Sequence, residues 1–168
     1  MDCNNCGAPM TLVNERNYFI CEYCGTYGIP NANRDGVHIL GETSEISCPV
    51  CQNFLVTAVI DGNRVLQCPN CKGVLFDQWV FAFAVSYLRN ESTQPEPPPR
   101  MLNRQELDRS LSCPKCNQRM DTHLYGGAGN IVIDNCYSCN LVWLDYGELN
   151  KIITALGYDR MKEHDGWK

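Results

Sequence analysis

Apolar and polar positions alternate along this chain in short runs, and the runs come in pairs. Residues Phe54-Leu55-Val56-Thr57-Ala58-Val59-Ile60 are rich in β-branched side chains, Asp61-Gly62 opens a turn, and Asn63-Arg64-Val65-Leu66-Gln67 returns. That pattern predicts a β-hairpin. The same shape recurs downstream, where Met120 to Tyr125 leads through Gly126-Gly127-Ala128-Gly129-Asn130 into Ile131-Val132-Ile133-Asp134. It also occurs near the start, where Met10 to Val13 passes through Asn14–Asn17 into Tyr18-Phe19-Ile20. Val37 to Leu40 reads as a further short strand, and Asp35-Gly36 before it as a turn.

Two stretches carry a helical pattern instead. Asp77 is placed to cap a helix running to about Tyr87, over the sequence WVFAFAVSYL, which is apolar on nearly every side and is expected either to pack between the second and third ribbons or to leave a patch for a partner. Asp145-Tyr146-Gly147-Glu148 has the sense of a capping box, and Leu149, Ile152, Ile153 and Leu156 share one face before Gly157 ends the run. Asn103 to Leu111 is a shorter candidate, with Asn103 as cap and Leu107 and Leu111 on one side. Glu91 to Pro99, with Pro95 and Pro97-Pro98-Pro99, reads as an extended spacer, and the tail to Lys168 as a polar, frayed end.

The cysteines explain why such small hairpins would hold. All twelve fall into six Cys-x-x-Cys pairs: Cys3/Cys6 with Cys21/Cys24, Cys48/Cys51 with Cys68/Cys71, and Cys113/Cys116 with Cys136/Cys139. The pairs bracket the three hairpins with 14, 16 and 19 residues between them. Two such turns at the ends of a hairpin deliver four thiolates to one ion, the closed tetrahedral set of a structural zinc ribbon. Iron suits tetrahedral sulfur as well, but zinc is the expectation from ligand type and spacing. A thioredoxin-like redox pair needs a βαβ setting, which is missing here. A secreted disulfide scaffold needs a signal peptide, and residues 1–20 carry no apolar core for one. Gly7 and Gly25 each follow a second cysteine, where a positive φ turns backbone N–H groups toward sulfur.

The fold class expected is therefore small, β-rich and metal-stabilised: three tandem zinc ribbons, with helices after the second and third, holding three structural zinc ions. The boundaries expected are 1–46, 47–90, a Pro-rich linker with a short helix at 91–112, and 113–168. Units of this size bury too little apolar surface to fold alone. Zinc contributes about 10–16 kcal/mol per site in such peptides, so the metal-free chain is expected to be largely unfolded.

Residues 112–149 resemble the transcription-factor zinc-finger family of bacterial proteins, named after the TFIIB zinc ribbon. The resemblance rests on Cys113-Pro114-Lys115-Cys116, Met120, Ile131 to Asp134, Cys136/Cys139 and Val142-Trp143-Leu144-Asp145-Tyr146-Gly147-Glu148-Leu149. The second ribbon resembles the same family with departures: Leu75 stands for the tryptophan, and Trp79-Val80-Phe81 for Gly-Glu-Leu. The first matches only a general ribbon pattern. The resemblance implies zinc binding by the cysteines, and its name suggests a link to nucleic acid or transcription.

Charge weighs against that last suggestion. The formal net charge is −5, and twelve thiolates with three zinc ions would bring it to about −11. Residues 1–46 hold six acidic and two basic residues. Non-specific attraction to phosphates rests on Lys and Arg, and the candidates Arg64, Lys72, Lys115 and Arg119, with Tyr125 for stacking, do not cluster in sequence. A catalytic zinc keeps an open position and usually employs histidine, whereas every pair here completes a four-cysteine set, so no enzyme is expected. His38 reads as a strand residue rather than a ligand. The leading expectation is a non-enzymatic adaptor that binds a protein partner, or itself, through Trp79, Phe81, Phe83 and Tyr87 on the apolar helix. Nucleic-acid binding is the alternative. Reduced, paired cysteines fit the cytoplasm, and no apolar run is long enough to span a membrane.

Overall fold

The computed structural model describes residues 1–93, 101–127 and 129–157. Pro95, Pro97–Pro99, Ala128 and the tail after Gly157, for which a spacer, a hairpin tip and a frayed end were expected, lie outside the described residues.

The first hairpin forms β1 (Thr11–Val13) and β2 (Tyr18–Ile20), joined by a 3-10 turn at Asn14–Arg16; a two-residue strand, β3 (Tyr27–Gly28), completes a three-stranded sheet. A long strand follows, β4 (His38–Ser47), then the second hairpin, β5 (Phe54–Ile60) and β6 (Asn63–Gln67), at the boundaries the alternation predicts. Next come β7 (Val74–Asp77) and α1 (Gln78–Glu91). A short α2 (Arg104–Leu107) precedes the third hairpin, β8 (Asp121–Leu124) and β9 (Val132–Cys136), after which lie β10 (Leu141–Leu144) and α3 (Glu148–Thr154).

The second and third ribbons form one sheet. Its strand order is β4-β5-β6-β7-β10-β9-β8, and the join is an antiparallel pairing of β7 with β10. Leu75 faces Trp143 across that join, with Val74 opposite Leu144 and Phe76 opposite Val142. Val74-Leu75-Phe76-Asp77 and Val142-Trp143-Leu144-Asp145 occupy matching places after their zinc knuckles. The two ribbons thus meet about a local pseudo-two-fold, as the halves of an isologous dimer would.

Both faces of this sheet are covered, which explains its nearly continuous apolar strands. Successive side chains alternate between faces. On one face Ala58, Ile60, Val65, Val74, Phe76, Ile133, Val142 and Leu144 pack with Phe81 and Val85 of α1 and with Leu149 and Ile152 of α3. On the other, Leu55, Leu75, Trp143, Leu111 and Met120 pack with cysteines of the second and third sites. Leu111 docks there although α2 stops at Leu107, so the two leucines do not share a helix.

Buried polar groups fix the connections. Arg109 forms ion pairs with Asp145 and with the fully buried Asp134, whose other oxygen accepts the Thr122 hydroxyl. Glu148 reaches back to accept the Asp145 N–H at 2.7 Å, as in a capping box. Burial pushes its carboxyl up to about 8. Asp145 itself does not cap: its oxygens take the Trp143 indole N–H and Arg109. The cap comes instead from Asp35, a buried residue of the connector before β4, which accepts the N–H groups of Gly147 at 2.7 Å and Asn150 at 3.0 Å. At the other end of α3, Arg89 of α1 donates to the carbonyls of Ile152, Ala155 and Gly157.

The first ribbon docks on the edge of the large sheet. Phe19 packs with Leu40 of β4 and Val59 of β5. Arg64 donates to the Asn14 carbonyl and to Asn17 Oδ1, and Asn17 returns a hydrogen bond to the Gly62 carbonyl.

Candidate metal centres

The six knuckles are built alike. The first cysteine donates its N–H to a carbonyl five residues on, as in Cys3 to Ala8, Cys48 to Asn53 and Cys113 to Gln118, each at 2.8 Å. The residue after the second cysteine then returns an N–H to the first cysteine's carbonyl, as in Gly7 to Cys3 and Gln52 to Cys48. That residue has positive φ in all six: Gly7 75°, Gly25 73°, Gln52 63°, Lys72 62°, Asn117 57° and Asn140 53°. Only the first ribbon uses glycine there; asparagine tolerates this region, while Gln52 and Lys72 are held in it by the knuckle. In the second knuckle of the third ribbon, Cys136 ends β9 and pairs across the ladder with Leu141, five residues on, while its carbonyl accepts the Cys139 N–H at 3.3 Å.

The knuckles converge in three quartets: Cys3, Cys6, Cys21 and Cys24; Cys48, Cys51, Cys68 and Cys71; Cys113, Cys116, Cys136 and Cys139. Within each, all Sγ atoms lie within 4.8 Å of one another. The nearest cross-pair separations are 3.5 Å for Cys6–Cys21, 3.3 Å for Cys51–Cys68 and 3.6 Å for Cys116–Cys136. These are far too long for disulfides, which need about 2.05 Å. They sit close to the edge of a sulfur tetrahedron around zinc, about 3.8 Å for bonds of about 2.3 Å. The donor set and its size therefore fit one zinc ion per quartet, three in all, with no open position.

Surrounding dipoles favour the anionic sulfurs. Backbone N–H groups of Val50 and Cys51 point at Cys48 Sγ, Lys115 N–H points at Cys113 Sγ, and the Asn53 amide points at Cys51 Sγ. Hydrogen bonds from Asn53 pull Cys51 down to about 5, against burial. Thr26 does the same for Cys24, to about 5. Burial pushes Cys48 up to about 11 and Cys139 up to about 12, the latter reinforced by its neighbouring sulfurs. Each quartet is thus a crowd of thiols that cannot all ionise without a cation among them.

The other candidates supply no ligand to these centres. His38 lies in β4 with Nδ1 2.5 Å from the Pro30 carbonyl oxygen and joins no quartet. On α1, Trp79, Phe83 and Tyr87 are exposed, but Phe81 is 4% exposed and packs edge-on against Phe76 and Tyr125, each at 5.7 Å between ring centroids. Phe81 is thus a core residue joining the second and third ribbons, and it leaves the set of partner anchors. Of the residues considered for nucleic acid, Tyr125 is buried, Arg64 holds the first ribbon, and Lys72 lies over the Tyr146 ring at 5.2 Å. Lys115 and Arg119 are exposed. Sequence reasoning missed Asp35, Arg89 and Arg109, whose partners are remote in the chain.

Comparison with known proteins agrees with this anatomy. Residues 47–78 and 112–155 match the family model described as transcription factor zinc-finger. No curated protein and no solved structure matches the chain. The second and third ribbons are thus similar to that transcription factor zinc-finger model, and the chain is a multi-ribbon zinc protein that adds a first ribbon of the same donor chemistry.

Proposed function

We propose that this protein is a non-enzymatic adaptor, stapled by zinc, that presents the outer face of α1 to another protein. The observation that carries this reading is the stripe Trp79, Phe83 and Tyr87, which are 80%, 55% and 43% exposed. They recur every four residues, so they share one side of the helix. The rings of Phe83 and Tyr87 lie nearly parallel, 9° apart with centroids at 6.3 Å, and make a flat platform. The opposite side of α1 is spent on the core through Phe81, Ala84 and Val85. The stripe is therefore surplus to folding, and aromatic anchors of this type carry most of the energy in protein interfaces.

Its size favours a different protein over a second copy. The three side chains expose roughly 400 Å², taking about 150–250 Å² for each whole ring side chain. Two copies meeting there would bury roughly 800 Å² in total, below the roughly 1,200 Å² of a stable interface. A partner with a wider footprint removes that shortfall. Closed thiolate sets suit a stapling metal rather than a catalytic one, and reduced thiols suit a cytoplasmic setting.

The family's description favours a second reading, contact with nucleic acid. Exposed Lys115 and Arg119 on the third ribbon would carry it. Against it stand the acidic chain and the structural use of Arg64, Arg89 and Arg109.

The test is affinity capture from the native cell with the chain and with its Trp79→Ser/Phe83→Ser variant. The variant is expected to keep three zinc ions and its amide spectrum while losing the captured protein. Capture that survives the double substitution defeats the adaptor reading at this face. A steep loss of affinity for DNA or RNA with rising salt would favour the second reading.

A further inference from the structure

The three quartets share a donor set but not a setting. In the first, Cys6 and Cys24 are both exposed. In the third only Cys116 is exposed, and in the second no cysteine is. The apolar surroundings rank the sites in the same direction. Cysteines of the second and third sites belong to one buried layer with Leu55, Leu75, Met120 and Trp143. No cysteine of the first site belongs to an apolar cluster among the described residues. Reactivity of a cysteine toward an oxidant follows thiolate character and access, and a zinc-bound sulfur is already a thiolate.

We propose that the first site is the oxidation-sensitive zinc site of this chain, that Cys6 and Cys24 are the sulfurs attacked first, and that loss of its ion releases the first ribbon from the large sheet. The oxidant is a peroxide. An exposed thiolate sulfur bonds to one peroxide oxygen as the O–O bond breaks, giving a sulfenic acid and hydroxide. A second sulfur of the quartet then bonds to that sulfur and expels a second hydroxide. Two sulfurs together lose two electrons, the peroxide gains them, and two protons from solvent complete two waters. The zinc ion, deprived of two ligands, leaves.

Release of the ribbon follows from how it is held. Its docking residues, Asn14, Asn17 and Phe19, all lie on the hairpin whose two ends carry the knuckles. Asn17 sits at φ 57°, a turn conformation that the hairpin must maintain for Arg64 and Gly62 to find it. A ribbon of this size has little core of its own, so its shape depends on the metal. Undocking uncovers Leu40 and Val59, which are 5% and 4% exposed when the ribbon is in place. The oxidised chain therefore offers an apolar edge on β4 and β5 that the reduced chain hides. The second and third ribbons keep their shared sheet.

The experiment uses the full chain loaded with three zinc ions and treated with increasing hydrogen peroxide. Released zinc is followed with a chromogenic chelator, and bound zinc by native mass spectrometry. One ion of three is expected to leave at least about tenfold faster than the others, as the difference in sulfur access implies. The first disulfide is expected within residues 1–46. Hydrogen exchange at that stage is expected to show β1–β3 unprotected and β5–β10 unchanged, and a thiol reductant with zinc should restore the starting pattern. A short pulse of N-ethylmaleimide on the untreated chain gives an independent reading, with Cys6 and Cys24 labelled first and Cys116 next. Simultaneous loss of all three ions, first attack at Cys51, Cys71 or Cys116, or a first ribbon that stays protected after its ion has gone would each overturn the proposal.

Discussion

Trp143 has no exposed surface, and Gly73, just before the strand facing it, makes room. A Cβ on Gly73 would stand 2.2 Å from Trp143 Cζ2, 2.8 Å from Cη2 and 3.0 Å from the Leu144 carbonyl oxygen, all rigid neighbours. The matching place in the third ribbon, two residues after its last cysteine, holds Leu141. A small residue on one side of the seam and a large one on the other thus fit each other, whereas two third ribbons would set indole against leucine. Gly73→Ala is expected to lower stability by about 1–3 kcal/mol through overpacking. The readout is denaturant unfolding of the zinc-loaded chain, followed by Trp143 fluorescence; an unchanged midpoint would show that the seam can shift to admit a methyl. Nothing in the sequence around Gly73 announces this contact, since the ring it accommodates lies seventy positions away. The twelve ligands were legible for the opposite reason: each knuckle is local, so its spacing appears in the chain directly.

At the scale of elements, local signals were again the readable ones. The hairpin Phe54–Gln67 follows from alternation and an Asp-Gly turn, and the start of α1 follows from Asp77, whose side chain accepts the Trp79 N–H at 2.9 Å. The length of β4 and the cap on α3 were not readable. Asp35 looks like a turn residue, yet it supplies acceptors to the first turn of a helix more than a hundred residues later. Asp145, which looks like the cap, is held by Trp143 and Arg109. The apolar helix divided in a way periodicity could not decide, because WVFAFAVSYL has apolar residues toward every direction; packing selected Phe81 and left Phe83 out. Asp35→Ala is expected to destabilise the docked α3 by about 0.5–2 kcal/mol, the range for losing a helix cap. Native-state hydrogen exchange should show amides near Gly147 and Asn150 opening earlier while β9 and β10 change little. Unaltered protection at those amides would mean that the connector does not anchor the helix.

For the whole molecule, the sequence shows three ribbons in a row, and the structure shows a seven-stranded sheet with a docked three-stranded one. The merging of the second and third ribbons depends on complementarity between β7 and β10, which no repeat pattern reveals. It gives the two metal centres a common apolar layer, so their zinc ions and the sheet stabilise one another. The first ribbon is held by a smaller contact and stands as the more separable part. The central claim is that zinc in three quartets maintains this architecture. Native mass spectrometry and amide NMR of the same sample, before and after complete chelation, test it most directly. Three zinc ions per chain and a dispersed spectrum that collapses once all are removed are the predicted result; a dispersed spectrum that persists in metal-free protein contradicts it.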